Sequence, residues 1–278
     1  MKKDLLEIFN KASLIRHFEL NAFENIQNKN IQTPVYLSAG QEFIASTLSY
    51  LINFKLKIKP MIFAQHRCHS TYLNFGGDKK KLIDELLGKK TGINKGLGGS
   101  ASISSKSINM YGHDGHMGTQ MPIGLGACFA SKKPTIIFLG DASVEEDYVM
   151  SSIGWASFKK LPILIVVEDN NLSILTKKKV RRHWEASDLA RGLKMKSVNI
   201  TDNPMQIIKY KKRFFKEPFL MNIRTTRLFW HAGAGEDEYR RFDRYESLKK
   251  NLGTVGNEID KKNKRYIYNL WQKQLKKQ

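Results

Sequence analysis

One carboxylate and one carboxamide, Asp141 and Asn170, are the side chains whose placement most suggests shared chemistry. Residues 135–139 (TIIFL) and 161–167 (LPILIVV) are short, β-branched apolar runs of the kind that form strands buried on both faces. The stretch between them, 144–160, sets Val149, Ile153 and Ala156 near one helical face and is long enough to cross back over a sheet. A right-handed crossover makes the two strands parallel, with their carboxyl ends on one edge. Asp141 follows the first strand in Gly140-Asp141-Ala142, and Asn170 follows the second in Glu168-Asp169-Asn170-Asn171. Their oxygens then meet in the crevice where open α/β sheets bind ligands. Two hard oxygens beside a helix N-terminus suit a magnesium ion shared with phosphate groups. The same residue types also make helix caps and turns, and spacing alone does not identify the ligand.

The elements that must position these groups fit a chain of 278 residues, long enough for a sizeable core in one large α/β domain. The sequence predicts a helical lead-in over 1–30, an α/β domain over 31–235 and a basic helical extension over 236–278, with a partial apolar stripe of Ile259, Ile267, Leu270, Trp271 and Leu275 from about residue 258. An apolar helix is expected over 43–52, a strand over 61–64 ending at Gln65-His66-Arg67-Cys68-His69, and a helix over 78–88. A glycine-rich loop follows at 96–100, then a second glycine-rich stretch at 112–118 leading into a helix over 123–131. Beyond Asn171 come a basic loop (TKKKVRRHW), a strand over 197–200, a helix over 204–216 and a strand over 219–223.

Composition narrows the function classes. Cys68 and Cys128 are too few for a disulfide framework or a cysteine zinc site. No segment approaches the roughly 20 apolar residues that span a bilayer, so a cytoplasmic location without membrane contact is expected. The net charge of +21 could signal nucleic acid, an anionic cofactor or an acidic partner. It is spread along the whole chain, and without a helix-turn-helix, zinc-finger or RNP-like motif nucleic acid is not the expected partner.

Six blocks in order resemble one family: GQE at 40–42, HRCH at 66–69, GLGGS at 96–100, GHMGTQMPIGLG at 115–126, GDASVEED at 140–147 and LPILIVVEDNN at 161–171. It is the alpha subunit of thiamine-diphosphate-dependent 2-oxoacid and acetoin dehydrogenase E1 components, and the likeness covers roughly residues 10–235. The resemblance implies a diphosphate-binding α/β fold, a doubly wound parallel sheet with helices on both faces. It implies thiamine diphosphate and Mg2+ as cofactors, with Asp141, Asn170 and the Leu172 carbonyl as metal ligands. Gly140, Ala142 and Ser143 accompany Asp141 at the diphosphate, and Arg67 meets it with a fixed charge and a fork of donors. Gly115 and Met117 match the pair that contacts the aminopyrimidine; His69 and His231 match active-site histidines.

The same resemblance implies a beta subunit whose pyrimidine-binding domain completes the site in a heterotetramer of two alpha and two beta subunits. The substrate class is a 2-oxoacid, an acyloin or a ketose-like molecule, with carbon–carbon cleavage and transfer of the acyl unit to a lipoyl group, an aldehyde or a proton. Departures from the pattern are Ala142 in place of the usual glycine, and Tyr36 and Ser102 where relatives often carry histidine. The alternatives are the amino-terminal half of a split transketolase-like enzyme, or a basic structural or nucleic-acid-binding subunit without cofactor.

Overall fold

The computed structural model describes residues 2–233, 235–237 and 242–276. By internal contacts the chain divides into two units: one comprises residues up to Tyr50, Arg67–Ser104 and the segment from Thr226 on, the other Leu51–His66 and Ser105–Thr225.

The second unit holds one sheet of six strands, all paired in parallel: β1 (Met61–Phe63), β2 (Met110–Tyr111), β3 (Thr135–Gly140), β4 (Ile163–Asp169), β7 (Lys196–Thr201) and β8 (Phe219–Arg224), in the order β2-β1-β3-β4-β8-β7. A two-residue hairpin, β5 (Leu172–Ser173) and β6 (Thr176–Lys177), projects after β4. The chain leaves β1 to one side for β2 and returns on the other side as β3, so the sheet reverses direction between β1 and β3. Reversal points of this kind open a crevice at the carboxyl ends of the strands. All of β4 is buried, as the continuous apolar run requires for a central parallel strand.

Ile137, Leu139, Ile163, Ile165, Val167 and Leu220 form one sheet face and pack into a single cluster with Met121, Leu125, Val149, Ile153, Ala186 and Ala190. These come from the helices α5 (Gln120–Ser131), α6 (Asp147–Phe158) and α8 (Ala186–Gly192), the last preceded by the single turn α7 (Lys178–Arg181). The alternate residues Ile136, Phe138, Leu164 and Val166 are equally buried, so both faces are covered and the expected α/β architecture is observed.

The other unit is helical: α1 (Lys2–Gln27), α2 (Glu42–Ser49), α3 (His69–Asn74), α4 (Lys79–Leu86) and α10 (Arg244–Leu275). Rings lock α1 to α10, Phe9 on Tyr245 at 5.2 Å and Phe18 on Trp271 at 5.4 Å between centroids. Arg16 of α1 ties three segments at once, with Nε donating to Glu42 at 2.5 Å and both terminal nitrogens to Asp243 at 2.8 and 2.9 Å. Between α4 and residue 100 the glycine loop wraps a single buried carboxylate: Glu85 accepts from the amides of Asn94, Gly96, Gly98 and Gly99 at 2.7 to 3.1 Å. No described helix is long and apolar enough to cross a membrane.

Boundaries differ from the sequence expectation in three places. The helix expected over 204–216 is the single turn α9 (Pro204–Ile208), capped by Asn203, followed by a 3-10 turn over Lys211–Arg213 and Phe215 at φ +62. Burial of Phe214 and Phe215 and the adjacent Lys211, Lys212 and Arg213 oppose a longer helix. The C-terminal helix begins at Arg244 rather than near 258; Asp243 caps it by accepting from Tyr245 N at 2.9 Å, and Gly253 kinks it with non-helical angles. The expected helix over 144–160 is split into a 3-10 turn at Ala142–Glu145 and α6, because Glu146 is extended.

Glu85→Gln should lower folding stability by about 2 kcal/mol or more, since one amide nitrogen would then face amide donors in a buried loop. Urea denaturation of the two proteins, compared at equal slope, measures it.

Candidate functional site

The sheet register fixes the centre of the site. Gly140 pairs with Glu168 across β3 and β4, so Asp141 stands one step beyond the ladder, level with Asp169 and one residue short of Asn170. Each parallel strand lifts its last residue to the same edge, and Asp141 falls at the reversal point between β1 and β3. The backbone at Asp141 is helical and its side chain makes no capping hydrogen bond, which removes the capping alternative for that residue. Asn170 does make a turn, with Oδ1 accepting from Leu172 N at 3.1 Å. Asn171 follows in the left-handed region at φ +67.

Asp141 is almost fully buried. Burial and then the neighbouring Asp169 carboxylate push its pKa up to about 6, against the pull of Arg181 and Arg182. A carboxylate buried this deeply needs a cationic partner. In the structure that cation is Arg181, whose guanidinium donates to Oδ2 at 2.5 Å and also pairs with Glu145. Arg182 donates to the Asp141 backbone carbonyl at 2.6 Å and to Glu145. Asp169 has its own partner, Lys178, at 2.6 Å; Lys178 also bridges to Glu185 at 2.7 Å. Along the chain these lysines and arginines read only as a basic loop. The missed residues Glu145, Lys178, Arg181 and Arg182 carry no local signal, because their partners lie on other elements.

Around this centre Gly140 lies at the end of β3, and Ala142 and Ser143 open the 3-10 turn with both residues buried. Ala142 is not in the left-handed region, so the alanine that replaces glycine there is unstrained. Leu172 begins the hairpin after Asn170. Gly115 sits at φ +100, where a side chain is disfavoured, and its amide donates to His113 Nδ1 at 2.9 Å. Met117 is 41 % exposed, and its carbonyl accepts from the Tyr148 hydroxyl. At the end of β1 the Gln65 amide donates to Glu168 in a fully buried pair.

The remaining candidates belong to the helical unit. Arg67 is buried, donating to the carbonyls of Leu37 at 2.8 Å and His231 at 3.1 Å. The segment carrying His231 is fastened to residues 35–40: Leu228 N donates to Ala39 O, Gly233 N donates to Val35 O, and Gly40 approaches so closely that an added Cβ would lie 2.1 Å from Thr226 O. The His231 ring is half-buried and meets Tyr36 edge-on at 5.2 Å. Burial, then the positive charges of Arg67 and Arg227, push its pKa down to about 4. His69 is completely enclosed, with Nδ1 on Glu19 at 3.1 Å and Nε2 on Ser100 Oγ at 2.8 Å; Ser100 in turn accepts from Tyr36 N at 2.9 Å.

Among the described residues no three His, Cys, Asp or Glu side chains gather as a metal-binding group. A divalent ion at Asp141 would need its other oxygens from amide, carbonyl or ligand, which is how magnesium shared with a diphosphate is held. The buried carboxylate already matched by a cationic group, Arg181, fits a positive ion at this place.

The model of the dehydrogenase E1 component family matches residues 10–259, and the chain belongs to that family. The alpha subunit 1 of the mitochondrial pyruvate dehydrogenase E1 component of Oryza sativa is 28 % identical over 82 % of this chain and 60 % of its own length. The corresponding alpha subunit of Rickettsia bellii is 27 % identical over 90 % of this chain and 79 % of its length. The resemblance carried by the six motifs is thereby borne out. The chain spans about 60 % of the length of the plant and fission-yeast relatives. Among solved structures, the transketolase of Campylobacter jejuni superposes with a TM-score of 0.59 at 14 % identity, over 99 % of this chain and 49 % of that one, a likeness of fold.

A neutral His231 has a direct readout. Its imidazole resonances should titrate near pH 4, and Arg67→Gln should move that midpoint upward by removing one of the charges that lower it. Between about pH 6.5 and 4 the unfolded chain takes up a proton that folded His231 refuses, so this group lowers stability on acidification through that window. Proton NMR across a pH series checks the midpoint; a value at 6.5 in both proteins would contradict it.

Proposed function

We propose that this chain is the alpha-type half of a thiamine-diphosphate-dependent E1 enzyme acting with a beta subunit on a 2-oxoacid or acyloin. One observation carries the reading: a buried Asp141, paired with Arg181, stands at the reversal point of a parallel sheet, beside the strand end that bears Asn170, in a chain of the E1 family. Thiamine diphosphate and Mg2+ are the cofactors in this reading, with Asp141, Asn170 and the Leu172 carbonyl holding the metal. When bound, thiamine diphosphate supplies a nucleophilic carbon and an electron sink for cleaving the bond beside a 2-oxo group.

The chain's own residues do the positioning. The backbone from Gly140 to Ser143 offers amides for phosphate oxygens at the start of a helical turn, too short to act through a dipole alone. Gly115 supplies a backbone that approaches closely, and Met117 an exposed apolar contact for the pyrimidine. Arg67 brings a fixed positive charge for the diphosphate. His231, kept neutral by its surroundings, can donate from one ring nitrogen and accept a proton at the other. His69, with both nitrogens engaged and no exposure, serves as a positioning residue that fixes Ser100 and the glycine loop.

The family assignment favours this reading over a split transketolase, and the backbone at Ala142 lies outside the left-handed region, so of the two features that favour a cofactor-free subunit, Ala142 and the high charge, the alanine carries no strain. The beta subunit, the heterotetramer, the acyl acceptor and a cytoplasmic location belong to the same proposal.

Calorimetry on the chain with its beta partner should show thiamine diphosphate binding that requires Mg2+ and weakens at least ~100-fold in Asp141→Ala, the loss of a charged ligand being worth about 3 kcal/mol. Activity on 2-oxoacids should appear only when both chains are mixed. Full turnover by this chain alone, or cofactor binding indifferent to Asp141→Ala, would refute the proposal.

A further inference from the structure

The two arginines at Asp141 have donors left over. Arg182 is buried, stacks its guanidinium 4.7 Å from the Trp184 ring, and donates from Nε to Trp184 O and from Nη1 to Asp141 O and Glu145. Its Nη2 is buried without a partner. Arg181 uses both terminal nitrogens on Asp141 and Glu145, while its Nε is buried without a partner. Unmatched donors on buried cations cost stability, and the chemistry that satisfies them is an oxyanion.

The charges of Asp141, Glu145, Arg181 and Arg182 cancel. A divalent ion entering alone must displace the Arg181 guanidinium from Asp141 and leave two further positive charges beside two arginines. A diphosphate entering alone puts its negative charge beside two carboxylates. Entering together, the ion takes the Asp141 carboxylate and the released guanidinium gains phosphate oxygens, so local charge stays near balance.

We propose that Arg181 and Arg182 are a diphosphate-binding pair, and that Arg181 is also the resident counter-cation of Asp141, so that metal and diphosphate bind synergistically and the metal binds poorly alone. This rests on the cofactor reading given above.

The test uses the full chain, Mn2+ as a paramagnetic substitute for Mg2+, and inorganic pyrophosphate as a probe that needs only the diphosphate site. Free Mn2+ is read by electron paramagnetic resonance. In the native chain pyrophosphate should tighten Mn2+ binding at least ~10-fold. Arg181→Gln should tighten binding of Mn2+ alone by ~10-fold and reduce the pyrophosphate effect to about twofold or less. Arg181→Lys, which keeps the charge, should resemble the native chain. Arg182→Gln should weaken pyrophosphate-assisted binding ~10-fold with little change for Mn2+ alone. Circular dichroism melts confirm that each variant is folded, and should Arg181→Gln not fold, the Arg181→Lys and Arg182→Gln results decide by themselves. Mn2+ binding that responds to pyrophosphate in the native chain but is unchanged in Arg181→Gln and Arg182→Gln would overturn this inference and leave the cofactor reading standing. No Mn2+ binding with thiamine diphosphate, even with the beta partner present, would overturn both.

Discussion

A buried carboxylate at the end of a central strand must be matched by positive charge, and the organisation of the sheet unit follows from that requirement at Asp141. Desolvation works against its ionised form, and Asp169 on the next strand adds a second negative charge. The basic segment after β4 answers both carboxylates separately, Arg181 at Asp141 and Lys178 at Asp169. Each of the two carboxylates thus has a basic partner close by. Parallel strands make the arrangement possible, because they deliver two loop starts to one edge with a fixed offset.

The helical unit uses the same physics for a different end. Glu85 gathers four loop amides, Glu19 orients His69 toward Ser100, and Glu42 with Asp243 holds Arg16 between α1, α2 and the start of α10. Burial pushes the Glu42 carboxyl up while Arg16 and the Gly40 amide pull it down. In a chain with 47 basic and 26 acidic side chains, several of the acids lie inside and organise backbone. The motif residues Gly40 and Glu42 thus act through architecture: Gly40 lets the segment bearing Thr226 approach, and Glu42 anchors the turn that Gly40 makes. The resulting fastening of residues 226–233 explains how His231 acquires a defined and partly desolvated place.

Much of this was legible beforehand, for reasons that differ by element. The runs 135–139 and 161–167 announced buried strands because continuous β-branched sequence has few other stable uses, and the crossover between them fixed the parallel edge where Asp141 stands. The two-residue strand Met110–Tyr111 carried no periodicity to read. The helix after Pro204 was overextended, since spacing of apolar residues could not foresee that Phe214 and Phe215 would turn inward. The apolar stripe from about residue 258 marks only the later part of α10; Gly253 and Gly256 lie within the same long helix, as a kink and a close contact.

The α/β class, the family, and the pairing of Asp141 with the strand end that bears Asn170 are readable along the chain, because they depend on local patterns or on ordered motifs. What neutralises the two aspartates, why His69 is enclosed while His231 stays half-exposed, and why Ala142 can stand in place of glycine emerge in the folded molecule. Those outcomes depend on which distant side chains share a low-dielectric space, and interaction energies there are set by distances that spacing along a chain does not encode.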